Sequence, residues 1–147
     1  MAMEIAERNH DKAGLVLIGI KENGIVIARI IAEMLQKIFP GKIDLRSCSM
    51  DKQRPDAIVL DAEYNFNGAN ILLIDDVANS GRTMLYALKP LLQQHPAQIQ
   101  TLALVERTHK LFPIAVDYVG HSVATNTHET IVVKVSGNEV LGAELVQ

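Results

Sequence analysis

Two adjacent carboxylates, Asp75 and Asp76, directly follow the apolar run Ile71-Leu72-Leu73-Ile74. After the spacer Val77-Ala78-Asn79-Ser80 the chain reaches Gly81-Arg82-Thr83 and then a stretch with helical spacing. Acids at the rim of a buried strand are costly unless hydrogen-bond donors or a cation satisfy them. A ribose diol can donate to both carboxylates, and Mg²⁺ is a hard cation that prefers oxygen ligands. The first turn of a helix exposes unpaired N–H groups, and its dipole favours an anion. Gly81 lets the backbone approach a phosphate closely, and Ser80 and Thr83 add hydroxyl donors. Acids for a diol followed by a phosphate cradle from Ala78 to Thr83 describe a site for a ribose 5-phosphate. The GxxxxGK[ST] pattern of nucleoside triphosphate loops is absent. A pair of aspartates alone could be a plain turn and helix cap, and Gly-Arg-Thr alone is common. Strand, acids, spacer, glycine turn and amphipathic helix together are far more specific.

The surrounding elements must place those acids at a strand end. Leu15-Val16-Leu17-Ile18, stopping at Gly19, reads as a strand buried on both faces. Gly24 closes a turn, after which Ile27, Ile30, Ile31, Met34, Leu35 and Ile38 recur at helical spacing up to the stop at Pro40-Gly41. Ile43 to Ser49 alternates as a strand, Met50 to Asp56 is charged and reads as a loop, and Ile58-Val59-Leu60 is a short strand. Asn67-Gly68 signals a turn before Ile71–Ile74. Leu85, Leu88, Leu91 and Leu92 suggest one face of a helix that finishes before Pro96. Thr101–Val105 and Tyr118-Val119 read as strands, and Thr130–Val135 alternates as an edge or half-covered strand. Strands separated by helices imply parallel βαβ units. The expected fold is α/β and doubly wound: a mainly parallel sheet with helices on both faces, residues 1–147 forming one domain.

Bulk properties remove several function classes. A length of 147 residues suits one core, with 48% apolar and 21% charged residues. A net charge of −3 gives no general attraction to nucleic acid or anionic membranes, so any polyanion site must be a local set of donors. The single Cys48 is expected to be a structural thiol, not part of a disulfide framework or zinc site. The N-terminal residues resemble no signal peptide, and no apolar run approaches the ~18 residues that span a bilayer. The cytoplasm is the expected compartment. His10, His95, His109, His121 and His128 lack metal-ligand spacing and are expected in surface or capping roles, His109 lying nearest the candidate site.

Ile71 to Thr83, ILLIDDVANSGRT, resembles the signature by which type I phosphoribosyltransferases bind 5-phosphoribosyl-1-diphosphate (PRPP). Leu17 to Ile25, LIGIKENGI, is similar to the diphosphate-loop region of that family, and Asp117-Tyr118-Val119-Gly120 to its base-binding segment. Val105-Glu106-Arg107-Thr108-His109 and Leu111-Phe112-Pro113-Ile114 extend the likeness over nearly the whole chain, nearest to the bifunctional pyrimidine-operon attenuator and uracil phosphoribosyltransferases. The resemblance implies that Asp75 and Asp76 are the catalytic acids, holding the ribose hydroxyls and available to Mg²⁺. It implies that Ala78, Asn79, Ser80, Gly81, Arg82 and Thr83 bind the 5-phosphate. Lys21, Glu22, Asn23 and Gly24 would face the diphosphate, and Tyr118 and Val119 would line the base pocket with Arg107 nearby. The reaction so implied displaces diphosphate, carrying Mg²⁺, from the anomeric carbon by a ring nitrogen of a pyrimidine such as uracil. PRPP and a nucleobase are the implied ligands, and a homodimer or larger homo-oligomer the implied assembly.

The chain departs from this pattern in places. Lys21-Glu22-Asn23-Gly24 stands where the attenuator subgroup carries Lys-Thr-Arg-Gly, an exchange that removes a cation, adds a carboxylate and implies weaker diphosphate binding. Asn79 stands where hypoxanthine-guanine relatives carry an acid, which argues against purines. The segment 46–56 is shorter than the subgroup's flexible loop, with Lys52 or Arg54 as candidate cations, and only Glu4 to Asn9 is recognisable of its N-terminal helix. A second class of function is a weakly catalytic or non-catalytic PRPP- or nucleotide-sensing regulator of pyrimidine genes that binds RNA. For that role 14 basic against 17 acidic residues leave no overall electrostatic footprint. A phosphoacceptor receiver domain ranks last, since it has no use for the Gly-Arg-Thr cradle.

Overall fold

A computed structural model describes residues 1–50, 58–60, 64–124, 129–137 and 139–146. In chain order the elements are α1 (Ala2–Arg8), β1 (Gly14–Ile20), α2 (Asn23–Ile38), β2 (Lys42–Met50), β3 (Ile58–Leu60), β4 (Asn70–Ala78) and α3 (Arg82–Leu92). They continue as β5 (Gln98–Arg107), β6 (Tyr118–Val123), β7 (Thr130–Ser136) and β8 (Glu139–Val146). Six strands form one sheet in the order β3-β2-β1-β4-β5-β6, parallel except for β3 against β2.

The strict alternation of β1 explains why its residues are apolar throughout. Leu15 and Leu17 enter a core with α1 and α2, built around Ile5, Ile27, Ile31 and Leu35, while Val16, Ile18 and Ile20 enter the opposite core with Met84, Ala87 and Leu91 of α3. Helices cover both faces, as expected for a doubly wound sheet. β1 and β4 lie side by side, yet the chain winds outward from β1 towards β2 and from β4 towards β5 and β6. The crevice between the carboxyl ends of β1 and β4 is therefore the topological switch point, where open α/β sheets hold their ligands. The Lys21–Gly24 turn and the Asp75-Asp76 pair both lie there.

Several expectations need correction. β4 does not end at Ile74 but runs to Ala78, because Asp75, Val77 and Ala78 pair with Ala103, Val105 and Glu106 of β5. The acids thus occupy the carboxyl-terminal half of the strand. α3 buries Met84, Ala87 and Leu91 with Leu88 beside them, while Leu92 is 64% exposed. Starting the helix at Arg82 places 84, 87, 88 and 91 on one stripe and turns Leu92 outward. Residues 46–50 belong to β2, whereas Lys52, Arg54 and His128 lie outside the described residues. β7 joins β8 in a separate antiparallel hairpin, not an edge of the main sheet, and β8 was not anticipated. Ile131 and Val133 seat this hairpin on Val105, near the carboxyl ends of β4 and β5.

Candidate functional site

α3 begins at a turn that only glycine accommodates. Gly81 has φ +85°, and a Cβ there would lie 2.5 Å from Cγ2 of Ile114. As the N-cap residue it supplies no side-chain cap, so the cap does not occupy the amides of the first turn. The cradle is braced from behind by Ser80, whose carbonyl accepts from the N–H groups of Leu111 and Phe112 at 3.0 Å each. The Lys110–Glu106 ion pair (2.8 Å) holds that bracing turn to β5. The hydroxyl of Ser80 accepts from the Arg82 N–H at 3.2 Å.

The acids point into the same space. Residues 75–84 line a cavity of about 330 Å³ that runs from Asp75 and Asp76 along the Ala78–Thr83 turn to Met84. Asp75 is 8% exposed, and its Oδ1 accepts from the Asp76 N–H at 2.8 Å. Asp76 is half-buried; Oδ1 accepts from the Val77 N–H at 2.8 Å and Oδ2 from the Asn23 amide at 2.9 Å. The same amide nitrogen donates to the Val133 carbonyl at 3.0 Å.

A second cavity, of about 370 Å³, shares Asn23, Asp75 and Asp76 with the first and is bounded by Lys21, Glu22, Ser49 and Met50. α2 starts at Asn23, earlier than the periodicity suggested, so its first residue lines this cavity. Gly24 permits the approach, since a Cβ there would meet the Ile74 carbonyl oxygen at 2.7 Å. The Lys21–Glu22 peptide bond is cis. Two helix N-termini, those of α2 and α3, thus flank the acid pair and partly offset its charge. Lys21 and Glu22 are exposed, which leaves one cation and three carboxylates around the second cavity.

None of the three residues expected at the base pocket lines either cavity. Tyr118 is fully buried in the core beneath α1 and α2, its hydroxyl donating to Gln100 Oε1 at 2.9 Å and accepting from Asn9 Nδ2 at 3.2 Å, with Arg8 over its ring. Burial raises its pKa, opposed by the nearby Arg8 charge and the Asn9 hydrogen bond. Its register opposite Leu102 puts it low on β6, and Val119 opposite Ala103 faces the other core; neither lines either cavity. Arg107 also lies behind the site, donating to the Glu129 carbonyl and to Asn79 Oδ1 (3.5 Å), so it ties the cradle turn to the start of β7.

The wall that sequence reasoning missed is β7, because Ile131, Val132 and Val133 face the acids across the first cavity. Their alternation marked a strand with one covered face but carried no sign of what that face covered. Cys48 is buried as expected, and His109 is exposed and lines neither cavity. Among the described residues no group of three or more His, Cys, Asp or Glu side chains forms a ready metal cage, and no helix is long and apolar enough to cross a membrane.

Residues 2–139 match the phosphoribosyl transferase domain. The chain is 37% identical over 142 residues to a "Pyrimidine operon regulatory protein" of Lactococcus lactis, an alignment covering 92% of this chain and 82% of the relative. It is 35% identical over 153 residues to the "Bifunctional protein PyrR" of Clostridioides difficile, covering 97% and 85% respectively. Among solved structures, the hypoxanthine phosphoribosyltransferase of Trypanosoma cruzi superposes with a TM-score of 0.73 at 19% identity, covering 83% of this chain and 72% of that one. A hypoxanthine-guanine phosphoribosyltransferase of Bacillus anthracis gives 0.69 at 20% identity, covering 89% and 75%. At such identities the two structures share the fold and nothing finer.

Proposed function

From a chain that belongs to the phosphoribosyl transferase family, and is therefore a phosphoribosyltransferase, we propose a reaction that transfers the phosphoribosyl group of PRPP to a pyrimidine base such as uracil. The observation that carries this reading is the common cavity: Asp75, Asp76 and the whole Ala78–Thr83 turn open into one space. In this reading the 5-phosphate sits on the amides of the turn and of the first turn of α3, with the hydroxyls of Ser80 and Thr83 beside it. The ribose hydroxyls donate to Asp75 and Asp76. The diphosphate lies in the second cavity between Lys21 and the opening of α2.

The base rests against Ile131, Val132 and Val133, an apolar wall suited to a flat ring. Its ring nitrogen attacks the anomeric carbon as the bond to diphosphate breaks; the bonding pair leaves with the diphosphate and the ring N–H proton passes to solvent. Positive charge then develops on the ribose next to two fixed carboxylates, so catalysis is mainly positioning and charge stabilisation. The oxygen donors of Asp75, Asp76 and Glu22 fit Mg²⁺ in kind, and with no ready cage among the described residues the ion would draw further ligands from the substrate. When bound, Mg²⁺ supplies neutralisation of the departing diphosphate.

Calorimetric titration of the purified chain with PRPP, with and without Mg²⁺, tests the site, and diphosphate release with uracil tests the reaction. Asp76→Asn should weaken PRPP binding by about tenfold or more, since a charge-assisted hydrogen bond is worth ~1.5–3 kcal/mol. Wild-type affinity in that variant would remove the acids from the reading. The relatives' names support a second reading, a nucleotide-sensing regulator of pyrimidine genes that binds RNA. Specific RNA binding whose affinity falls steeply with salt would favour it. A homodimer or larger assembly belongs to the same expectation and is read directly by light scattering.

A further inference from the structure

Asn23, like Asp75 and Asp76, belongs to both halves of the site. It lines both cavities, and its one amide nitrogen reaches two different walls, Asp76 Oδ2 at 2.9 Å and the Val133 carbonyl at 3.0 Å. An amide NH₂ has two hydrogens, and both are committed here. No donor of this side chain remains to reach out to an anion in the second cavity. The seat of the β7–β8 hairpin on the main sheet is otherwise small: Val105, Ile131 and Val133, with Val77, Leu104, Val123 and Val135 around them. Every residue of β8 is exposed, so that strand adds no buried seat of its own. Polar ties therefore weigh heavily in holding β7 down. Among the described residues these include Arg107 to the Glu129 carbonyl at the start of β7 and Asn23 in its middle.

We propose that Asn23 is a positioning residue that couples Asp76 to the β7–β8 hairpin, so that ordering of the acid and closure of the cavity's apolar wall are linked. The coupling to ligand rests on reading this cavity as the PRPP site. A carboxylate has room for several donors, so Asp76 can accept ribose hydroxyls while keeping Asn23. Holding Asp76 in one orientation makes it ready for the diol, and a diol that restrains Asp76 steadies the tether in return. By linkage, the stabilisation works equally in both directions. Asn23 touches neither the anomeric carbon nor the base in this scheme and acts only through Asp76 and β7.

Limited trypsin digestion provides the readout. Lys134 lies on β7 directly after the tethered Val133, and cleavage there requires the hairpin to lift, whereas cleavage at Lys37 on α2 reports opening of the main core. In Asn23→Ala the ratio of cleavage at Lys134 to that at Lys37 should rise about three- to tenfold without ligand, the scale of the lost amide-to-carbonyl hydrogen bond to Val133. PRPP affinity should fall by a similar factor. Saturating PRPP should protect Lys134 in the wild type and much less in Asn23→Ala. Asn23→Asp, which cannot donate and sets a carboxylate against Asp76, should open the hairpin at least as far. Asn23→Gln, which keeps both donors, should recover part of the effect. An unchanged cleavage ratio, equal protection by PRPP in both proteins, or cleavage rising equally at both lysines would overturn the coupling. If the wild-type chain binds no PRPP, the reading of the site fails, while the ligand-free ratio still decides the tether.

Discussion

Replacing Gly81 by alanine tests the cradle most directly, because two separate penalties coincide there. At φ +85° an alanine suffers the Cβ clash of the left-handed region, about 1–2 kcal/mol. Its methyl would also stand 2.5 Å from Cγ2 of Ile114 and 3.3 Å from the Phe112 carbonyl oxygen. Ile114 is β-branched and packs against the α3 core, so making room resembles overpacking, at about 1–3 kcal/mol. The sum, roughly 2–5 kcal/mol, is below the 5–15 kcal/mol typical of a domain, so the variant should fold. At about 2–4 °C per kcal/mol its Tm should drop by roughly 4–20 °C.

Gly68→Ala is the matched control: φ is +73°, yet nothing lies within 4 Å of the added methyl. It carries the strain alone, about 1–2 kcal/mol, with no effect on ligand. Melting followed by circular dichroism measures the first quantity and calorimetric titration with PRPP the second. Gly81→Ala should bind PRPP about tenfold to a hundredfold more weakly, because the amides that face the phosphate shift with the turn. Equal losses of Tm in the two variants would refute the packing argument. A destabilised Gly81→Ala protein that still binds PRPP like the wild type would refute the placement of the phosphate.

Tyr118→Phe should cost about 1 kcal/mol of stability, since it removes the hydroxyl's two hydrogen bonds while Asn9 still donates to the Ile5 carbonyl and to Gln100 Oε1, and it should leave the KM for the base unchanged; a raised KM would restore Tyr118 to the base pocket. Because its pKa is raised in the folded chain, Tyr118 keeps its proton after the unfolded state has lost one, so its stabilising contribution is full below pH ~10 and is lost as pH rises beyond. Denaturant titrations above that pH should show a shallower decline in Tyr118→Phe than in the wild type. Glu22→Gln removes one of three carboxylates from the second cavity and should tighten inhibition by diphosphate about two- to fivefold at low salt, with the gain shrinking at high salt. No change at any ionic strength would mean that Glu22 does not face the anion.

What could be read in the sequence was what neighbouring residues decide among themselves. The apolar β1 and the start of β4, the stop of α2 before Pro40 and the glycine turn at 81 are local, and each stands where the pattern put it. β4 ran past its apolar stretch because pairing with β5 holds Asp75 to Ala78 extended, and backbone pairing leaves no mark on hydropathy. Tyr118 was misplaced because its face depends on partners 109 and 18 positions away, Asn9 and Gln100. β8, exposed along its whole length, shows no alternation to betray a strand, so the hairpin that carries one wall of the site emerged only in three dimensions.

The acid pair and the altered diphosphate loop explain each other electrostatically. With Glu22 beside the acid pair, the second cavity carries three carboxylates against Lys21. Bare diphosphate is repelled by such a surface, while a diphosphate already bearing a divalent cation is not. The first cavity has the opposite bias, since the opening of α3 and the turn before it present amides to an anion. A ligand with a phosphate at one end, a diol in the middle and a metal-bearing diphosphate at the other matches both biases in sequence. In the proposed placement its diol falls on Asp75 and Asp76, the residues that the two cavities share with Asn23. In the same placement, charge neutralisation of the diphosphate falls to the cation that arrives with the substrate, while Asn23 is occupied with Asp76 and β7.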